Sequence, residues 1–225
     1  MNGAEVQQAL ADKGVSRIFH ANSVKTSLSL LKLGGLASRA KVETSGLAQT
    51  NQISDDIDRK YNIWNDIFMD SVDIHERISD RNHYGPVLFG IDLGILGALP
   101  SGSEVFVTKK NPTKWKSSDS QDDRYYNNVN DIHGNVIVGD FDHMLVVRHS
   151  SGLVRFDDFL RDVILDVPVS GGGGEYFEKA KAALEKGLKD AGLSAAVTAR
   201  SCSYCRCNQS YAMKSTRIPW FYSVG

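Results

Sequence analysis

Apolar positions along the chain change period several times, and each change marks an element. From Val24 they recur at Leu28 and Leu31, with Leu30 and Leu33 widening the stripe, which is the spacing of one helical face. Asn22 or Ser23 can cap that helix, and Gly34 and Gly35 stop it, because a left-handed closing residue costs glycine least. A second helical pattern is predicted over 53–78, with Ser54 as a cap and Ile53, Ile57, Trp64, Ile67 and Phe68 on its apolar face; nothing in the pattern marks where it breaks. A Gly-Pro turn then introduces Gly85 to Leu96, a nearly continuous apolar run that suits a central strand better than an edge one. Glu104 to Thr108 is a predicted partner strand.

The polar stretch from Lys109 to Gly134 is too long for a mere connection in a compact domain, and such segments are usually functional or disordered. Three more strands are predicted at 135–139, 143–148 and 153–156. Residues 156–169 read either as a helical turn followed by a strand or as one longer helix. After four glycines at 171–174 comes the most regular helix. Phe177, Ala180, Leu184 and Leu188 line one face, Glu175/Lys179 and Glu185/Lys189 form i, i+4 pairs, and Gly192 closes it. Residues 194–204 read as a return strand. The sum is one α+β domain over 1–225, with helices early and late around a sheet built from the middle.

Composition narrows the classes. With 225 residues and 41% hydrophobic content the chain can bury one sizeable core. A formal charge of −1 and a pI near 6.6 leave no global basic field, so any nucleic-acid contact has to come from a local patch. No apolar run approaches the ~20 residues of a membrane helix, and no export signal opens the chain, so a cytoplasmic protein without membrane contact is expected. Cys202, Cys205 and Cys207 are an odd number in a chain without an export signal, which argues against a disulfide framework. Their spacing suits zinc only with a fourth ligand that is not evident, so reduced thiols and no metal are expected. The four-glycine tract lacks the Lys-Ser/Thr of a phosphate loop and reads as a connection.

Two stretches carry candidate chemistry. His20 ends a short apolar run and faces the start of a capped helix. Read alone it suits a histidine bonded to a backbone carbonyl as well as one that meets a ligand beside free helix N–H groups. Lys109, Lys110, Lys114 and Lys116 surround Trp115, combining charge with a stacking ring as a single-stranded nucleic-acid groove does. The acidic run that follows opposes phosphate, so a solvated loop is the alternative. Tyr125 and Tyr126 either extend the stacking surface or anchor the loop's return.

The stretch Ile18 to Arg39, "IFHANSVKTSLSLLKLGGLASR", resembles the N-terminal signature of DarT-type ADP-ribosyltransferases, with His20 on the family's histidine and Asn22 where threonine is usual. Asp73 to Leu96, "DIHERISDRNHYGPVLFGIDLGIL", is similar to the second signature and places Arg77 on the family's arginine. The resemblance implies an ADP-ribosyltransferase-like fold whose central antiparallel or mixed sheets form an NAD cleft flanked by helices. It implies cleavage of the nicotinamide bond of NAD and transfer of ADP-ribose to a base of nucleic acid, DNA first and RNA second. His20, Asn22, Arg77 and Tyr84 would then hold NAD, and Lys109, Lys110, Lys114 and Trp115 the single-stranded acceptor. The family's glutamate opens an "AEFLV"-like strand, whereas this chain reads "GDFDHMLVV"; matching hydrophobics puts His143 there, a shift of one puts Asp142, and Asp140 is a third choice. Arg77, Asp142 and His143 are thus the expected catalytic residues. Such activity is toxic in the family, which implies a neutralising antitoxin protein. Two alternatives stay open: a protein acceptor or water on the same fold, and a degenerate module that binds a nucleotide or a partner without turnover.

Overall fold

Three small sheets and a set of helices make up the fold, as seen in a computed structural model. It describes residues 1–77, 82–149, 151–168, 173–201, 206–207 and 216–225, with Glu76 and Arg77 described by their backbone alone. In chain order, α1 spans Gly3–Asp12, strand β1 Arg17–Asn22 and α2 Val24–Leu33. Ser23 caps α2 by accepting from the Thr26 N–H, and Gly34, left-handed at φ 70°, returns its own N–H to Leu30 and Leu31. The first end follows from the Ser23 side chain and the second from the freedom of glycine to turn left-handed.

The largest sheet is four-stranded in the order β1-β4-β8-β9, with β4 at Val87–Asp92, β8 at Leu160–Asp166 and β9 at Ala196–Arg200. Its pairings are antiparallel except β8 with β9, which is parallel. β4 is buried over Val87–Ile91, as its unbroken apolar run requires. A three-stranded antiparallel sheet has the order β3-β6-β5, from Ile67–Met69, Leu145–Arg148 and Glu104–Val107. A two-stranded ribbon pairs β2, Gly35–Ala37, with β7, Leu153–Arg155. The architecture is mixed α+β.

The long helix α8, Gly173–Asp190, buries Phe177, Ala180, Leu184 and Leu188 and packs on α2. Removing Phe177, Leu184 and Leu188 from water contributes about 1.5–3 kcal/mol each. Glu175 and Lys179 pair across one turn at 2.5 Å, whereas Glu185 takes Lys181 rather than Lys189. The glycine tract opens this helix at Gly173; its first two residues lie outside the described set.

Several expectations need correction. The helix expected over 53–78 is broken into α4, Asp55–Lys60, strand β3 and α5, Ile74–Arg77. Asn62 turns left-handed at φ 58° just after α4, and the Ile67–Met69 backbone pairs with β6 instead of with itself. Residues 135–139 form no strand: α7, Val129–Asn135, consumes the first of them, and Ile137 and Val138 are exposed. The 109–134 segment is ordered, with a turn at Pro112–Lys114 and helix α6 at Gln121–Arg124, because Trp115, Tyr125 and Ile132 are buried beneath it. Of the two readings of 156–169, a short turn at Asp157–Phe159 followed by β8 is the one found. The chain closes with α9, Arg217–Tyr222, whose Tyr222 hydroxyl donates to the Asp166 carbonyl. Among the described residues no helix is long and apolar enough to cross a membrane.

Candidate functional site

His20 sits where two sheets touch. It belongs to β1, yet the residue before it, Phe19, exchanges backbone bonds of 2.8 and 2.9 Å with Asp70 just past β3. The His20 ring follows the same seam, with Nδ1 2.8 Å from the Phe68 carbonyl. A carbonyl only accepts, so Nδ1 carries the proton and Nε2 is the acceptor; the Asn22 amide donates to it at 3.2 Å. Burial lowers the pKa of this imidazole and outweighs the Phe68 bond and the charge of Asp70, which favour protonation. The ring is therefore neutral at pH 7. Asn22 is 4% exposed, and its oxygen accepts from Ser23 N–H at 3.0 Å and Gln52 Nε2 at 3.3 Å.

These residues line a cleft of about 930 Å³, counted to its open mouth. Tyr84, ahead of β4, shares it, as do Arg39 and Asp58 from one wall, Asp66 and Asp70 flanking β3, and Asn111 and Met144. Arg39, in helix α3 at Arg39–Thr44, grips Asp55 with Nη2 at 2.7 and 2.8 Å and the Thr50 carbonyl with Nη1 at 3.0 Å, leaving its buried Nε without a partner. Asp66 is locked by Arg148 through two bonds of 2.9 and 2.7 Å.

Asp58 differs from these paired acids. Burial first, and then the neighbouring charge of Asp55, push its carboxyl up to about 7, against the opposing effect of Arg39. Raised carboxyl pKa values mean that the folded state favours the protonated form, so stability falls as pH rises from about 4 towards 7. Asp58→Asn is expected to raise the melting temperature at pH 8 by about 2–4 °C, for roughly 1 kcal/mol recovered, and to coincide with wild type near pH 4. Scanning calorimetry at the two pH values checks this.

The close approach behind the site depends on one glycine. Gly85 has φ 138°, and a Cβ there would lie 2.4 Å from Asn22 C and Ser23 N. Gly85→Ala is expected to cost about 1–3 kcal/mol and to displace the Asn22–Ser23 corner, measurable as a lower denaturation midpoint.

Of the residues expected from sequence, His20, Asn22 and Tyr84 come together in this cleft. Arg77 ends α5, and its side chain lies outside the described residues. Asp142 and His143 do not line the cleft; Met144 does. The Asp142 carboxylate turns instead to the Asn111 N–H at 3.0 Å and to Lys114 at 2.7 Å, which hold it below the usual range although burial opposes them. His143 bonds the Tyr126 hydroxyl at 3.1 Å and accepts from Ile137 N–H at 3.0 Å, while Asp140 accepts from Asp142 N–H.

Trp115 is 5% exposed, with its indole N–H on the Lys110 carbonyl and Tyr61 and Tyr125 edge-on at 5.5 and 5.4 Å, so the stacking ring expected there is core. The lysines around it are engaged by the local polar run: Lys110 by Asp119, Lys114 by Asp142, and Lys109 by the Asp122 carbonyl. Tyr125 and Tyr126 anchor the segment from below. Cys202 and Cys205 lie outside the described residues, and Cys207 is buried, its sulfur accepting from the Asn82 N–H at 3.0 Å.

A charged network holds α5 in place. His75 Nε2 lies 2.9 Å from Asp166, whose other oxygen accepts from Arg200 Nε at 2.8 Å, and Arg200 also pairs with Asp73. Burial opposes a charge on His75, but hydrogen bonds to Asp166 and Cys207 raise its pKa to about 10.

Sequence reasoning missed Arg39, Asp58, Asp66 and Asp70. Arg39 closes the quoted N-terminal stretch, and Asp58 stands in the acidic first turn of α4, but no local pattern brings either towards His20. No family model and no curated protein matches this chain.

Proposed function

We propose that the cleft binds NAD and that the protein transfers its ADP-ribose to an acceptor, releasing nicotinamide. The observation that carries this reading is the convergence of His20 and Asn22, neighbours at the end of β1, with Tyr84 from far along the chain in one cleft at the seam of two sheets. The resemblance of Ile18–Arg39 and Asp73–Leu96 to DarT-type signatures supports the same reading.

The residues present suit such a substrate. The neutral His20 ring offers Nε2 as an acceptor, and a ribose hydroxyl can share or replace the long bond from Asn22. Arg39, although paired with Asp55, keeps an unpartnered Nε–H that can donate to a diphosphate oxygen. When the bond to nicotinamide breaks, its electron pair leaves with that ring and positive charge builds on the ribose carbon. The cleft acids supply the compensating field, and Asp58, poised near neutrality, takes the acceptor's proton.

A nucleic-acid base is the first acceptor in this proposal, DNA before RNA, and a neutralising partner protein belongs to it. Hydrolysis of NAD is a second reading, favoured by the burial of Trp115 and the ion pairs of Lys110 and Lys114, which leave that stretch without an open stacking face. Incubation with adenylate-labelled NAD and single-stranded DNA or RNA separates the two. Label on the nucleic acid supports transfer, free ADP-ribose alone supports hydrolysis, and NAD that is neither bound nor consumed contradicts both.

A further inference from the structure

Behind the cleft lies a second hollow of about 820 Å³, counted to its open mouth, walled by Tyr61, Asn62, Gln121, Arg124, Tyr125 and Arg148. Asp66 belongs to the walls of both. The two guanidinium groups here are in opposite states. Arg148 is neutralised by its paired bonds to Asp66. Arg124 has no carboxylate within ion-pair distance among the described residues, its Nη2 meets only the Lys116 carbonyl, at 3.5 Å, and its buried Nε has no partner. The guanidinium rests on the faces of Tyr61 and Trp115 at 4.8 and 5.0 Å, so its place is fixed by ring packing and not by a counter-ion.

Tyr125 adds a second orphan donor. The residue is 4% exposed, and its hydroxyl is buried with Arg148 alongside but without a hydrogen bond of good geometry. Burial, reinforced by the charge of Asp66, pushes that hydroxyl up to about 12, so it stays a donor throughout the physiological range. Buried donors left unmade cost free energy, and a site that leaves two of them at a guanidinium without an ion pair among the described residues suits an anion with several acceptor oxygens. The side-chain amides of Asn62 and Gln121 at the rim can supply further donors.

We propose that this hollow is a phosphate-group site, in which Arg124 Nε–H and the Tyr125 hydroxyl donate to the phosphoryl oxygens of a phosphate ester. It is separate from the NAD reading and stands whether or not the cleft turns NAD over. A free nucleotide and a phosphodiester chain carry the same chemistry, so the test includes both.

The full chain is titrated with inorganic phosphate, adenosine monophosphate and a short single-stranded oligonucleotide, followed by calorimetry and by tryptophan fluorescence, to which Trp115 beneath Arg124 contributes. Saturable phosphate binding is expected, weakened about tenfold or more in both Arg124→Gln and Tyr125→Phe, the usual worth of a charge-assisted hydrogen bond. Tyr125→Phe removes only a hydroxyl without a partner, so its melting temperature is not expected to fall, and lost affinity there cannot be ascribed to unfolding. Tighter binding of the mononucleotide or of the oligonucleotide identifies the source and keeps the site. The absence of saturable binding by all three ligands, or wild-type affinity in both variants, overturns it. NAD consumption is scored separately and bears on the proposed function alone.

Discussion

His20→Ala abolishes NAD-dependent turnover, by about a hundredfold or more, if the imidazole orients the ribose as proposed, since a lost positioning group costs that much in a reaction governed by geometry. The alanine also removes the Nδ1 bond to Phe68 that joins the two sheets, a stability loss of about 1 kcal/mol. His20→Asn separates the effects. An asparagine amide reaches the position of Nδ1 and can still donate to Phe68, but it places nothing at Nε2. Turnover by His20→Asn is expected to fall as far as in the alanine variant while its melting temperature stays close to wild type. Recovery of turnover in the asparagine variant would make His20 a stitch between sheets and nothing more.

Asp166→Ala is expected to produce the largest stability loss in the molecule, about 3–5 kcal/mol, or roughly 10 °C in melting temperature. Asp166 is 1% exposed and answers both His75 and Arg200; without it a buried imidazole and guanidinium lose their shared counter-charge, although Arg200 keeps Asp73. The pH dependence carries a sign. Because the folded state raises the pKa of His75 from its ordinary value of 6.5 to about 10, its charge stabilises the fold fully below 6.5, and that contribution is lost as pH rises through 10. Denaturation of wild type between pH 6 and 10 should show this decline, and Asp166→Ala should flatten it. Through Asp73 and His75 the network also anchors the start of α5.

Local rules account for what the sequence made legible. α2 and α8 are set by apolar spacing and by caps within a few residues, and His20 with Asn22 is visible because strand end and helix cap adjoin. Strand β3 was hidden: three residues cannot display a period, and their conformation is chosen by β6, far along the chain. Trp115 was misplaced for a related reason. Lysines on both sides describe the surface its backbone crosses, while the ring's direction is decided by Tyr61 and Tyr125. The cleft acids were illegible because Asp58 differs from its neighbours only in who is already paired, Asp55 with Arg39 and Asp66 with Arg148.

Nitrogen-15 magnetic resonance of the labelled imidazoles, recorded across pH with and without saturating NAD, addresses the cleft directly. The expected spectrum has His20 neutral and protonated on Nδ1 down to a pH below its ordinary 6.5, with the Nε2 resonance moving as NAD binds. A ring that titrates at or above 6.5 and is indifferent to NAD would contradict the proposed site.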